Sequence, residues 1–271
     1  MFLSNFVNLS TNIVITIVDN SVSEFFRQKN IIFFKTLDST QSYALELTSK
    51  SKPIDKTAIL TYNQLAGKGQ LGAKWQTQAD KNICMSIIGY PIKLKVGEQF
   101  LLSMTAALAV MRFLLQYTQK KIQIKWPNDI LLDNKKICGI LINNSLQGMY
   151  ITSSVTGMGV NINQTAFEAG LPNASSLAIA EGKEFALDEL SAELYQCFEY
   201  YYQWLNTGMH ELLRSEYHTN LFGIGAINRF AKQDGSVFSA EVKGVDIDGR
   251  LMLTIGNRIE KFDIREIKLL L

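Results

Sequence analysis

One lysine stands out in this sequence because the residues around it place it at the end of a strand. Residues 121–125 alternate polar and apolar side chains, the pattern of a half-buried strand, and Pro127 favours an extended backbone at Trp126. We therefore expect this strand to run into a polar turn with Lys125 at its end. A cation held there could meet a phosphate or a carboxylate, although most lysines in proteins simply face solvent.

A glycine-rich loop at residues 66–75 is a second candidate for ligand binding. Its segment Gly67-Lys68-Gly69-Gln70-Leu71-Gly72 has the glycine spacing of the dinucleotide-binding motif GxGxxG. A dinucleotide site requires a helix directly after the loop, whereas residues 82–88 are typical of a strand. The Gly-Lys-Ser/Thr ending of a P-loop is also missing from the segment. The loop could still wrap backbone N–H groups around an anion or a small polar ligand, or be a surface turn.

A third candidate is the segment 156–163, Thr-Gly-Met-Gly-Val-Asn-Ile-Asn. Gly157 and Gly159 would let the backbone approach a ligand closely, and the amides of Asn161 and Asn163 follow them. A strand that contains glycines and a bulge would explain the same pattern equally well. The segment therefore becomes informative only in combination with the other two.

These candidates are positioned by short strands and a few helices. The hydrophobic pattern predicts strands at 31–34, 57–62, 82–90, 121–125, 130–142 as a hairpin turning at Asp133-Asn134, and 150–160. It predicts helices at 41–50, 96–118, 187–205 and 210–221, the first of them capped by Asp38-Ser39-Thr40. Hairpins and a meander beside a few helices predict an α+β fold, in which helices pack on a mixed or mostly antiparallel sheet.

A change of pattern near residues 221–225 predicts a domain boundary. After Phe222 the chain consists of short strand-like segments separated by Asp234-Gly235 and Asp248-Gly249. We expect residues 31–221 to form the ligand-binding domain and residues 222–271 to form a small β-barrel. Residues 1–30 carry no motif and are assigned as an N-terminal extension.

Composition excludes several classes of protein. With 47% hydrophobic and 19% charged residues over 271 positions, the chain can form a core and is not a disordered protein. A net charge of +2 lacks the basic excess typical of nucleic-acid binders. Three well-separated cysteines predict neither a disulfide framework nor a zinc site. No signal-peptide pattern or uninterrupted apolar span is present, so we expect a cytoplasmic protein that does not enter a membrane.

Five motifs, taken in order along the chain, resemble those of the biotin–protein ligases. They are Asp38-Ser39-Thr40, Gln64-x-Ala66-Gly67-Lys68-Gly69-x-x-Gly72-x-x-Trp75, Lys125-Trp126-Pro127-Asn128-Asp129-Ile130, Lys136-Ile137-x-Gly139-Ile140-Leu141 and Gly157-Met158-Gly159-Val160-Asn161. The third motif is the most specific, and the resemblance covers residues 31–271. The chain is most similar to the type that has no N-terminal DNA-binding domain.

The resemblance implies a two-step reaction on a class II synthetase-like catalytic domain followed by an SH3-like β-barrel. Biotin and ATP, with Mg²⁺, would give biotinyl-5′-AMP and pyrophosphate. A lysine of a biotin carboxyl carrier protein, part of a carboxylase such as acetyl-CoA carboxylase, would then attack the adenylate and form an amide. Two anions meet in the first step, so a fixed cation is its main requirement. We expect a monomer or a homodimer, with no DNA and no membrane as partner.

The resemblance also implies roles for single residues. Lys125 matches the lysine that contacts the biotin carboxylate and the α-phosphate, as an electrostatic catalyst and not a nucleophile. The residues expected to bind biotin are Ser39, Thr40, Gln41, Gln64, Gly67, Lys68, Gly69, Gln70, Lys125, Gly139 and Gly157. Those expected to bind ATP or the adenylate are Lys68, Gln70, Trp75, Lys125, Asn128 and Asn161. No protein ligand is assigned to a metal, because Mg²⁺ is expected to come with ATP.

The glycine-rich loop departs from the family pattern, which is Gly-Arg-Gly-Arg-x-Gly-Arg. The three arginines are here Lys68, Gln70 and Ala73. In the family the second arginine helps to retain the adenylate, so we expect the intermediate to escape more easily from this chain. Gln41 and Asn143 are further departures, since the family usually has an asparagine and an acidic residue at these positions.

Three other functions stay open at this point. A lipoate–protein ligase or octanoyl transferase would share the fold and a lysine, but the Trp-Pro pair after Lys125 and the C-terminal barrel count against it. A biotin-responsive repressor would need a DNA-binding helix pair, which residues 1–30 do not show, and they are not basic. A biotin-binding protein without turnover is the third, because the loop arginines are missing.

Overall fold

The computed structural model describes residue 26 and residues 29–270, and its framework is a seven-stranded mixed sheet. The strands lie in the order β1 (Ile31–Phe34), β2 (Ala58–Thr61), β5 (Asn82–Gly89), β9 (Tyr150–Asn161), β8 (Lys135–Gln147), β7 (Asp129–Leu132) and β6 (Ile122–Lys125). Within this sheet β1 and β2 pair in parallel, and the other neighbours pair antiparallel. A separate hairpin is formed by β3 (Gly67–Lys68) and β4 (Lys74–Trp75).

Helices cover both faces of this sheet. The described part of the chain contains α1 (Thr40–Lys50), α2 (Phe100–Leu114), α3 (Leu177–Glu181), α4 (Leu187–Asn206) and α5 (His210–Thr219). Side chains alternate between the faces of a strand, so Leu60 joins the large core that includes α2 while its neighbour Ile59 packs with Ala44 of α1. This two-sided burial explains why every residue of β2 and β5 is buried.

The ends of two helices show where the sequence prediction succeeded and where it was wrong. The predicted cap of α1 is confirmed, because the Ser39 side chain accepts a hydrogen bond from the backbone N–H of Ser42 at 3.3 Å. The helix predicted at 96–118 is shorter: Val96–Glu98 is a 3-10 turn, and α2 ends at Leu114. Beyond Leu114 the backbone tightens into i→i+3 bonds, such as that from Tyr117 N–H to the Leu114 carbonyl, which satisfy the last carbonyls.

The C-terminal residues form a five-stranded antiparallel sheet. Its order is β13 (Arg258–Phe262), β12 (Leu251–Ile255), β11 (Val237–Val245), β10 (Ile227–Lys232) and β14 (Ile267–Leu270). Gly235 and Gly249 have positive φ angles of 82° and 91°, so the two predicted Asp-Gly turns are present. The predicted α+β fold with a small C-terminal β domain is confirmed. The exact domain boundary stays a prediction, and most of the predicted extension 1–30 lies outside the described residues.

Hydrogen bonds and a close packing contact join the C-terminal sheet to the larger domain. The Trp126 indole N–H donates to the Gly249 carbonyl at 2.9 Å, and the Val245 N–H donates to His218 Nε2 at the same distance. Phe100 of α2 packs so closely on Gly249 that a Cβ there would lie 2.5 Å from its ring. The turn after β6 is thereby tied to the C-terminal sheet. None of the described helices combines the length and apolar character needed to cross a membrane.

Candidate active site

A group of buried, uncharged polar side chains lies where α1 begins beside β2 and β5. The Gln64 amide oxygen accepts hydrogen bonds from the Thr40 N–H at 2.9 Å and from the Thr40 hydroxyl at 3.2 Å. The Ser86 hydroxyl lies 2.8 Å from Thr40 Oγ1. Ser39 is buried beside them at the start of the helix. Hydrogen bonds among these groups fix their positions, so they can present ordered donors and acceptors to a polar ligand.

Gln41 closes this end of the site together with Asn143. The Gln41 Nε2 group donates to Asn143 Oδ1 and to the Val155 carbonyl, both at 2.9 Å. Gly157 leaves the room for this side chain, since a Cβ there would lie 2.5 Å from Gln41 Oε1. Two of the departures from the family pattern, Gln41 and Asn143, therefore contact each other directly.

The β3–β4 hairpin places Trp75 over two glycines of the sheet. A Cβ at Gly159 would lie 2.4 Å from the indole, and one at Gly139 would lie 3.0 Å from it. The indole can lie against the sheet because Gly139 of β8 and Gly159 of β9 have no Cβ. Lys136 Nζ lies 5.8 Å from the centre of the indole ring, within the range of a cation–π contact.

Asp129 lies between two lysines and lines the groove next to the cavity. Lys125 ends β6 as predicted, and the β6–β7 register puts it opposite Asp129. The Lys125 Nζ lies 3.4 Å from Asp129 Oδ2, and Lys136 Nζ lies 2.6 Å from Asp129 Oδ1. The Trp126-Pro127 peptide bond between the two strands is cis. The side chains of Lys125 and Asp129 are 18% and 14% exposed, so this pair is only partly solvated.

These features enclose an inner cavity of about 240 Å³. Most of the predicted site residues line it: Ser39, Thr40, Gln41, Gln64, Lys68, Gly69, Gln70, Trp75, Asn128, Gly139 and Gly157. Other lining residues had no assigned role: Ala73, Lys74, Cys84, Ser86, Lys136, Ile140, Leu141, Met158 and Gly159. None of the described residues that line the cavity is acidic. Gln41 and Ser86 lie beside Gly157, whereas Lys136 lies beside Gly139, so the cavity has a neutral polar end and a cationic end. Lys68 and Lys74 line it from the β3–β4 hairpin.

An open groove of about 690 Å³ adjoins the cavity and runs between the β6–β7 turn and the C-terminal sheet. Gln70 and Asn128 line both spaces and mark where they meet. The charged residues along the groove are Lys125, Asp129, Lys232, Arg265, Glu266 and Lys268. Four of these six side chains are cationic, which suits a polyanionic ligand.

Three predicted site residues lie outside the inner cavity. Lys125 lines the groove, and Gly67 lines a neighbouring pocket that shares Gln64 and Trp75 with the inner cavity. Asn161 is buried, and its amide donates to the Ser175 carbonyl at 3.0 Å. Lys136 is the main residue that sequence reasoning missed. The signal was present in the Lys136-Ile137-x-Gly139 motif, but only the β7–β8 pairing brings this lysine to Asp129.

The cysteines of the described chain do not supply a nucleophile. Burial raises the pKa of the Cys84 thiol to about 12. Burial likewise raises the pKa of Cys138. All three cysteines are buried and unpaired with one another. The chemistry of the site therefore depends on its lysines, amides and hydroxyls.

Comparison with known proteins places the chain in a family. Residues 33–161 match the model of the biotin/lipoate A/B protein ligase family. The bifunctional ligase/repressor BirA of Bacillus subtilis is 30% identical over 245 residues, covering 89% of this chain and 74% of that protein. The biotin--[acetyl-CoA-carboxylase] ligase of Mycobacterium tuberculosis is 28% identical over 231 residues, covering 81% of each. The chain belongs to the biotin/lipoate A/B protein ligase family.

The fold agrees with this assignment. The biotin protein ligase from Aquifex aeolicus, solved in complex with biotin and ATP, superposes with a TM-score of 0.75. The match covers 89% of this chain and 98% of that one at 21% sequence identity. Because the superposition includes nearly the whole of the other chain, both the mixed sheet and the C-terminal sheet have counterparts there.

Proposed function

We propose that this chain is a biotin–protein ligase that uses ATP to attach biotin to a lysine of a biotin carboxyl carrier protein. The observation that carries the proposal is the two-ended cavity that opens into a basic groove. Biotin has a neutral ureido ring at one end and a carboxylate at the other, and ATP is a polyanion. The polarity of the two spaces matches the polarity of the two substrates.

The neutral end of the cavity suits the ureido ring. Ser39, Thr40 and Gln64 offer hydroxyl and amide groups that are already positioned by α1 and β2. A polar ring buried without such partners would lose about 1–3 kcal/mol for each unsatisfied group. Hydrogen bonds to the ring therefore favour a ureido compound over an apolar one of the same size.

The first chemical step is adenylate formation. A carboxylate oxygen of biotin attacks the α-phosphorus of ATP, the bond to the bridging oxygen breaks, and pyrophosphate leaves. Lys125 lies where cavity and groove approach each other, so its charge opposes the repulsion between the two anions and stabilises the charge that develops. Holding both substrates side by side supplies a further part of the rate.

The second step transfers the biotinyl group. The amine of the carrier lysine attacks the carbonyl carbon of the adenylate, the mixed anhydride bond breaks, AMP leaves, and the nitrogen loses a proton. We propose a carboxylase carrier domain as the acceptor, the cytoplasm as the location, and a monomer or homodimer as the active form. Single-turnover transfer from biotinyl-5′-AMP to a purified carrier domain tests this step, and a bound adenylate without transfer would contradict it.

Mg²⁺ would enter with the nucleotide. No group of three or more His, Cys, Asp or Glu side chains that could hold a metal ion occurs among residues 29–270. Asp129, which faces the groove, already contacts two lysines. The residues present therefore fit a cation that takes most of its ligands from phosphate oxygens and water, as Mg²⁺ does in many nucleotide sites.

Biotin-dependent exchange of pyrophosphate into ATP tests the proposal directly. We expect clear exchange by the wild-type protein and a loss of about 10³-fold or more in Lys125→Ala, because the cation at the reacting atoms is removed. Lys121→Ala removes an exposed lysine near the start of the same strand and should leave exchange unchanged. Exchange supported by lipoate and not by biotin would instead assign a lipoate ligase.

The Bacillus subtilis relative is named a ligase and a repressor, and only the ligase activity is proposed for this chain. Residues 1–30 contain two acidic and two basic residues, so they lack the charge that holds a protein on DNA. A mobility-shift titration with operator DNA, repeated at two salt concentrations, tests this. A salt-dependent shift in the presence of biotin and ATP would contradict it.

A further inference from the structure

We propose that Gln41 is a positioning residue for the neutral end of the cavity and that Asn143 is its anchor. This role rests on the proposed function, because the group to be recognised is the cyclic urea of biotin. The family resemblance implied that Gln41 binds biotin itself. In the structure Gln41 instead acts through Ser86 and Thr40, whose hydroxyl oxygens it keeps open to the N–H groups of the ring.

The amide of Gln41 can point only one way. Its Nε2 group lies 2.9 Å from the Val155 carbonyl, which can only accept a hydrogen bond, and 2.9 Å from Asn143 Oδ1. Both Nε2 protons are thereby used, and Oε1 faces away from these two partners. The side chain is 4% exposed, and its Oε1 lies against the backbone of Gly157. Asn143 and the Val155 carbonyl therefore fix the position of the Gln41 amide oxygen.

This amide oxygen decides where the Ser86 proton goes. Ser86 Oγ lies 3.0 Å from Gln41 Oε1, and an amide oxygen can only accept, so Ser86 donates its single proton there. The Thr40 hydroxyl has two acceptors within reach, Gln64 Oε1 at 3.2 Å and Ser86 Oγ at 2.8 Å. Both hydroxyl protons are therefore used within the protein. Ser86 and Thr40 can offer a ligand only their lone pairs.

These lone pairs suit a ring that carries N–H groups. Thr40 and Ser86 both line the inner cavity, and Ser86 pairs with Gly157 across β5 and β9. The N–H groups of a cyclic urea need acceptors when they leave water. A dithiolane ring has no N–H group, so it gains nothing from the same lone pairs. The arrangement therefore favours biotin over lipoate at the neutral end of the cavity.

Loss of the Gln41 amide would change the groups that the ring meets. The Ser86 proton would turn into the cavity, where it opposes a ring N–H, or toward Thr40 Oγ1, where it takes up a lone pair. In both cases the ring loses an acceptor. The reacting carboxylate lies at the other end of biotin, so the chemical step should be unaffected.

Calorimetric titration of biotin tests this role in Gln41→Met, Ser86→Ala and the double variant. We expect each single variant to bind biotin about tenfold more weakly, the effect of one hydrogen bond. The double variant should also lose about tenfold and not a hundredfold, because Gln41 acts through Ser86. In pyrophosphate exchange, Gln41→Met should raise KM for biotin and keep kcat within about twofold. Gln147→Met is the matched control, since Gln147 is an exposed glutamine at the end of β8.

The possible results distinguish this role from the proposed function. A folded wild-type protein that binds neither biotin nor ATP would overturn the proposed function, and the role of Gln41 with it. Normal biotin binding by Gln41→Met, in a protein whose wild type exchanges pyrophosphate, would overturn only the role of Gln41. A hundredfold loss in the double variant would overturn it as well, because additive losses indicate that Gln41 contacts biotin directly.

Two variants of Asn143 test the anchor, and they decide the matter if Gln41→Met does not fold. Asn143→Asp keeps an acceptor for Gln41 Nε2 and should bind biotin within about twofold of the wild type. Asn143→Leu removes the acceptor at nearly constant size. It should weaken biotin binding about threefold, since Asn143 is exposed and water can replace part of the lost hydrogen bond. Equal biotin binding by the two variants would show that Asn143 does not anchor Gln41.

Discussion

Gln70 occupies the junction of the cavity and the groove, where the family pattern has an arginine. It begins the 3-10 turn Gln70–Gly72 and lines both spaces. An adenylate bound across this junction would meet a neutral amide. A guanidinium would offer a charge and two parallel hydrogen bonds to a phosphate, which are stronger and geometrically matched. Among the single residues of the site, Gln70 in place of arginine is the one that we most expect to weaken the binding of the adenylate.

Gln70→Arg should therefore slow the release of biotinyl-5′-AMP. We expect about a tenfold to a hundredfold lower release rate than in the wild type, corresponding to one added charge-assisted contact of about 1.5–3 kcal/mol. The measurement is the release of labelled adenylate from a preformed complex, followed by rapid filtration. Gln203→Arg adds the same side chain to an exposed position of α4 and should change nothing. Equal release from wild type and Gln70→Arg would show that the wild-type loop already retains the adenylate.

Strands β8 and β9 work as one element, because their paired glycines form the surface on which the hairpin rests. Gly139 and Gly159 are direct partners in the antiparallel register, and both face Trp75. The indole covers the sheet beside Lys136 and so forms one wall of the cavity. A side chain at either glycine would compete with the indole for the same space.

Gly159→Ala should displace Trp75, because the new Cβ would lie 2.4 Å from the ring. We expect a red-shifted and quenched tryptophan emission, a loss of about 1–3 kcal/mol in the free energy of unfolding as typical of overpacking, and weaker biotin binding. Emission spectra and thermal unfolding measure the first two. Gly170→Ala is the control, since Gly170 is exposed and a Cβ there meets nothing within 4 Å. Unchanged emission in Gly159→Ala would show that the indole does not rest on β9.

For the whole molecule, the joint between the two sheets lies next to the reacting groups. Trp126 follows Lys125 directly, and its indole N–H is bonded to the Gly249 carbonyl in a turn of the C-terminal sheet. The groove is also shared, because Lys125 lies on one side and Arg265 on the other. The C-terminal sheet thus both completes the groove and holds the turn that carries the lysine.

Trp126→Phe tests this coupling, since it removes the indole N–H and keeps an aromatic ring in the buried position. We expect kcat for pyrophosphate exchange to fall about threefold to tenfold with biotin affinity retained, because a small shift of Lys125 misaligns the charge with the reacting atoms. The unpaired Gly249 carbonyl should cost about 1–3 kcal/mol of stability. Trp204→Phe on α4 controls for the loss of an indole elsewhere. A stability loss with unchanged kcat would show that the joint is only structural.

The local sequence pattern was sufficient to predict much of the fold and the residues at the neutral end of the cavity. Period-two alternation and the Asp-Asn turn predict the β6–β7–β8 meander, and the Ser39 cap predicts where α1 begins. These features depend on neighbouring residues, so they can be read without knowing what lies across the sheet. Short helix α3 escaped prediction because five residues are too few to show a helical period, although Ser176 caps it and Gly182 ends it.

The distribution of charge in the site was decided by tertiary structure. From the sequence, Lys125 and Lys136 are two lysines eleven positions apart, and only the pairing of β7 with both of its neighbours brings them to the same carboxylate. The groove likewise joins Lys125 to Arg265, which lie 140 positions apart in the chain. The sequence by itself determined most of the side chains that line the cavity and the place of Lys125 at the end of its strand, but it missed Lys136 and the hairpin that carries Trp75. Which space each side chain lines depends on the register between distant strands and on the packing of the C-terminal sheet. Neither of these produces a periodic pattern in the sequence, so neither could be predicted from it.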